Sequence, residues 1–111
     1  MKRYYEEHIN VERPHLNILG ATQRIYKFPN DRGASIVWGT GLLLGGTLSD
    51  IPNNLRNPYE LAVIQFVNGD DYYLDYSSGL TTDVFRYQNE EQIRDLLKQI
   101  KNLERVEHGV V

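Results

Sequence analysis

Four carboxylates raise the first question about chemistry, because Glu60, Asp70, Asp71 and Asp75 lie close together in the chain. Two of them, Glu60 and Asp75, would divide acid and base work or hold a cation if the fold brought them into one pocket. Asp70 and Asp71 follow Asn68-Gly69 in a turn, where aspartate is common for conformational reasons, and the spacing of a calcium-binding loop is missing. His8, His15 and His108 sit near the ends of the chain without the HxH or HxxxH spacing of a metal site. The chain has no cysteine, so thiolate ligands and disulfides are excluded. The histidines are expected to be solvent-exposed, with no metal, no cofactor and no catalytic residue assigned.

Gly39-x-Gly41-x-x-x-Gly45 follows an expected strand and has the look of a phosphate-binding loop. That chemistry needs a helix N-terminus directly afterwards. Gly46-Thr47-Leu48-Ser49-Asp50-Ile51-Pro52 comes instead, so a flexible loop is expected. Leu42, Leu43 and Leu44, together with Trp38, make the apolar cluster of greatest interest. They either fold back to cap a sheet face or form a patch that docks on another chain, and spacing does not separate the two. Tyr72, Tyr73 and Tyr76 lie along one strand, where a stacking platform for bases is conceivable. They lack the basic surround that such binding needs and are expected to pack in half-buried sheet positions.

The elements that must carry these groups are legible in part. Gln23 to Phe28 and Ala34 to Trp38 read as two strands around the turn residues Pro29-Asn30-Asp31-Arg32-Gly33. Tyr26 and Phe28 fall on one face, with Gln23, Ile25 and Lys27 on the other. Tyr59 to Val67 is apolar on both faces, as in a central strand. Asn68-Gly69 is a hairpin signal, and Asp71 to Tyr76 returns. Thr82 to Phe85 reads as a short turn. Asn89 looks like an N-cap, with Gln92 at capping-box spacing, and Ile93, Leu96, Leu97, Ile100 and Leu103 form one helical stripe.

These elements predict a single α+β domain over residues 1–111. A four-stranded, meander-like antiparallel sheet within 18–76 carries one amphipathic helix over 89–105 on one face. Residues 1–17 are expected to be a loosely ordered arm, and 39–58 a long loop between the second and third strands. One helix covers one face, whereas Leu61 and Val63 point opposite to Ala62, Ile64 and Phe66. The loop, the arm or a second subunit must cover the rest.

Charge narrows the classes of partner. With 12 basic and 15 acidic residues the net charge is −3, without the basic stripe that nucleic-acid binding requires. No apolar run approaches a membrane span. Lys2 and Arg3 are followed by Glu6 and Glu7 rather than an apolar stretch, so a cytoplasmic protein is expected.

Phe28-Pro29-Asn30, Gly33-Ala34-Ser35-Ile36-Val37, Glu60 to Phe66, Leu74-Asp75-Tyr76 and Thr82-Asp83-Val84, followed by the capped helix, resemble a group of small phage and prophage proteins. Their pattern runs FPNGYGASVV, ELAVI.F and Y.TPITDDV. The resemblance spans roughly residues 18–103 and departs from the group in the enlarged Leu-rich connection. It implies a phage or prophage origin and expression inside a bacterial host, and it brings no activity. The expected role is a protein-interaction module acting on a host or phage protein, with a homodimer as one arrangement. A small enzyme or ligand-binding domain using Glu60 and Asp75 is the second reading, and a minor virion component the third.

Overall fold

The computed structural model describes residues 1–39, 59–75 and 84–106. They form an antiparallel sheet with one C-terminal helix: strands β1 (Ile9–Pro14), β2 (Ala21–Lys27), β3 (Arg32–Gly39), β4 (Tyr59–Asn68), β5 (Asp71–Leu74) and β6 (Val84–Gln88), then helix α1 (Glu90–Lys101). The order is β1-β2-β3-β4-β5, and β6 also pairs with β4. Leu42, Leu43 and Leu44, with the rest of the connection from 40 to 58, lie outside the described residues, as do Tyr76 and His108.

Among the described residues, six strands replace the four expected. The segment read as a loose arm contains a 3-10 turn at Glu6–His8 and then β1, and the expected turn around Phe85 is strand β6. β5 pairs with the second half of β4 and β6 with the first half. Because β3 occupies the other edge of β4, β5 and β6 lie end to end, like one strand interrupted between them.

The hairpin β2–β3 keeps strict register from Ala21↔Gly39 to Lys27↔Gly33. Its turn also does long-range work. Asp31 takes a left-handed φ of 62°, which aspartate tolerates, and its N–H donates to the Phe28 carbonyl at 3.1 Å. Asn30 Nδ2 donates to the Ile100 and Leu103 carbonyls, both at 2.9 Å. Ile100 is in the last turn of α1 and Leu103 just beyond it, where carbonyls outrun the intrahelical donors; the Ile100 carbonyl also accepts from the Leu103 N–H at 3.2 Å.

At the other end of α1, the Asn89 side chain accepts from the Gln92 N–H at 2.8 Å, and the Gln92 side chain accepts from the Asn89 N–H at 2.7 Å. This is the capping box expected from the sequence. Asn89→Ala is expected to lower stability by about 1 kcal/mol, read as a shift in the urea midpoint with an unchanged slope.

Ile93, Leu96, Leu97 and Ile100 bury against Tyr26, Phe28, Ala34, Ile36, Leu61 and Val63. This face is the main core. The opposite face holds a smaller cluster of Ile25, Ile64 and Phe66, with Val11 packed on it. Among the described residues, part of its cover comes from the sheet itself. Asn10 Nδ2 of β1 donates to Asp70 Oδ1, in the turn before β5, at 3.3 Å. In a flat sheet these positions stand three to four strand spacings apart, ~14–19 Å. Lys27 Nζ of β2 likewise reaches the Gly69 carbonyl at 2.5 Å. The sheet therefore curls until β1 meets the β4–β5 hairpin, making the second face concave.

Small residues on β3 permit the curl. Gly33 and Ser35 face this side between Ile25 on β2 and Ile64 on β4. A Cβ at Gly33 would sit 1.9 Å from the Tyr26 carbonyl oxygen and 2.8 Å from Phe66 Cε2, so the Phe66 ring lies across β3 where a side chain would otherwise stand.

Candidate functional site

The carboxylates singled out by sequence do not converge. Register places Glu60 on the concave face with Ala62 and Ile64, while Asp75, opposite Val63 through its N–H, lies on the helix face. Glu60 is 3.4 Å from Arg86. Asp75 is fully buried and ion-paired with Arg32, whose Nε also donates to the Glu104 carbonyl at 3.0 Å. Asp75 therefore joins the β4–β5 edge to the segment after α1. Asp70 and Asp71 are exposed at the turn.

Trp38 lies on the helix face, half-buried, with its ring centroid 6.1 Å from that of Tyr59. The Arg24 guanidinium sits over it at 5.2 Å. Arg24 is buried on the core face. Its Nε donates to Glu12 Oε1 at 2.6 Å and its Nη1 to the Lys2 carbonyl at 2.8 Å. The Tyr26 hydroxyl donates to the Tyr4 carbonyl at 2.7 Å, and burial holds that phenol above its ordinary pKa. The cluster clasps the N-terminal residues onto the sheet. Its polar groups bond to one another and to the N-terminal backbone, which makes it a structural device.

His8 is half-buried, edge-on to Phe28 at 5.3 Å, and His15 Nδ1 accepts from the Asn17 and Ile18 N–H groups. Neither stands free in solvent, contrary to expectation. Among the described residues no group of three His, Cys, Asp or Glu side chains is placed to hold a metal ion. Among them, too, no helix is long and apolar enough to cross a membrane. Gly39 ends β3 with a left-handed φ of 130° and packs on the Gly20 carbonyl. Gly41 and Gly45 lie outside the described residues.

Two features remain at the surface. One is the edge strand β5, all four of whose residues are exposed. Tyr73 is 49% and Leu74 36% exposed, and Val67 before the turn is 47% exposed. Tyr72 and Tyr73, expected in half-buried sheet positions, are more exposed than that, at 37% and 49% on the last strand of the order, although the Tyr72 ring packs on Phe66. The Asp75 N–H donates to the Val63 carbonyl at 2.9 Å. Since antiparallel pairs alternate between bonded and non-bonded positions, the Leu74 and Tyr72 N–H groups point away from β4. The β1–β2 loop also exposes Leu16 and Leu19, next to β1, the other terminal strand of the order, which ends in Pro14.

The other feature is the mouth of the concave face, where Val11, Arg13, Ile25 and Tyr72 meet. Sequence reading missed it because it combines residues from both ends of the sheet, and only the curl brings them together. Against family models, curated proteins and solved structures, the chain matches none.

Proposed function

We propose that this chain is a protein-interaction module whose partner adds an extended segment to the outer edge of β5. One observation carries the reading: an exposed edge strand with outward N–H groups at Tyr72 and Leu74, flanked by exposed Tyr73 and Val67. Natural sheets blunt such edges with charge, proline or cover, and an edge left open is the surface that strand addition uses. Backbone bonds would supply affinity, and the tyrosines large contact area at low entropic cost. The resemblance to small phage and prophage proteins makes a host or phage protein in the bacterial cytoplasm the expected partner, with a second copy of the chain as the symmetric case.

Leu74→Pro tests this directly. It removes the outward donor at Leu74 and leaves the Asp75 bond to β4 in place. Partner capture from host or infected cells, with crosslinks mapped to β5, is expected to fall at least about tenfold while the circular dichroism spectrum is retained. Undiminished capture by the folded variant would place the interface elsewhere.

A further inference from the structure

The groove at the mouth of the concave face has a volume of about 380 Å³ and is lined by Asn10, Val11, Arg13, Ile25, Asp70 and Tyr72. Volumes of this order suit small molecules. Val11 and Ile25 give it an apolar floor. Tyr72, whose ring leans on Phe66 at 5.7 Å between centroids, gives it an aromatic wall.

Its two charged groups differ in how far they are already satisfied. Asp70 Oδ1 accepts from Asn10 Nδ2 at 3.3 Å and lies 3.8 Å from Lys27 Nζ. Arg13 has no carboxylate within ion-pair distance among the described residues. Its Nη2 makes one long bond, 3.4 Å, to Gln23 Oε1. Its Nε is enclosed and meets no hydrogen-bond acceptor among the described residues, a condition that costs free energy and that native proteins largely avoid. Arg13 also stands three residues from Asn10 along β1, ~10 Å. Asp70 lines the same groove, with its carboxylate directed to Asn10 and Lys27.

We propose that this groove is a binding site for a small carboxylate carrying an apolar or aromatic body. The carboxylate lies on the Arg13 guanidinium, whose planar fork suits two parallel N–H···O bonds. The body lies on Val11, Ile25 and the Tyr72 ring. This site uses the Tyr72 ring and the β5 edge uses the Tyr72 N–H, so Arg13 variants test the groove and Leu74→Pro tests the edge separately.

Titrating ¹⁵N-labelled protein with 3-phenylpropionate tests the proposal, with 3-phenylpropylamine as the charge-reversed control. The acid is expected to give saturable amide shifts confined to the neighbourhood of Val11, Arg13, Ile25 and Tyr72. The amine, and the acid on Arg13→Gln, are expected to bind at least about tenfold more weakly. Arg13→Lys, which keeps the charge and loses the fork, should fall between and serves if Arg13→Gln does not fold. Leu74→Pro should leave acid binding unchanged. No saturable shift, equal binding of the amine, or undiminished binding by the folded Arg13 variants would overturn the proposal.

Discussion

Replacing Asp75 by alanine is expected to destabilise the fold by about 3–5 kcal/mol, the usual cost of removing one partner from a buried ion pair. Asp75 is fully buried and Arg32 nearly so. Deletion of the carboxylate removes the Asp75 charge from beside an enclosed guanidinium. Asp75→Ala should therefore unfold at a much lower urea concentration, with a similar slope. Arg32→Met combined with Asp75→Leu should recover more than half of the loss, because the enclosed guanidinium is then removed as well. Recovery will be incomplete, since Arg32 Nε also donates to the Glu104 carbonyl. A single variant within about 1 kcal/mol of the parent would show that the pair is hydrated rather than buried.

The second large effect is expected at Gly33. Alanine there places a methyl group against the Tyr26 carbonyl and the Phe66 ring, and the carbonyl is backbone that cannot swing aside. Overpacking of this kind costs roughly 1–3 kcal/mol where side chains can adjust, so the upper end, about 3 kcal/mol, is expected here. The thermal midpoint should fall by roughly 10–20 °C. Amide shifts should change at Phe66 and along β2. A fall of only a few degrees would mean that the curl of the sheet does not depend on the missing side chain.

How far the sequence anticipates this arrangement varies by element. The β2–β3 hairpin, β4, the Asn-Gly turn and the capped helix all announce themselves locally, through turn residues, alternation or a helical stripe. β1 does not. Only Ile9 and Val11 are apolar in it, and the irregularity between them sets Ile9 against Tyr26 and Val11 against Ile25. They therefore serve opposite faces although two residues apart, and the period of two is broken. β6 is short and carries Arg86 in its middle, so its pairing comes from β4 rather than from its own pattern.

The buried arginines were legible in principle. Arg24 shares a face with Tyr26, and Arg32 with Ala34 and Ile36, and a charge on a core face implies a buried partner. The partners themselves, Glu12 and Asp75, required the tertiary fold. Glu60 and Asp75 looked like one site because they share a stretch of chain, yet an odd number of alternations puts them on opposite faces. The question of what covers the second face had three expected answers. Part of the observed cover is the second of these, the arm, whose residues Ile9–Pro14 form β1 with Val11 packed on the second face; the curl of the sheet that brings β1 there is eased by the small Gly33 and Ser35 and leaves no periodic trace.

Amide hydrogen exchange along β5 in the free protein is the most direct test of the open edge. Tyr73 and Asp75, in the bonded positions facing β4, should be protected, while Tyr72 and Leu74 should exchange close to the rate of an unstructured chain. Strong protection at all four positions would mean that the edge is already covered, contradicting a surface held free for a partner strand.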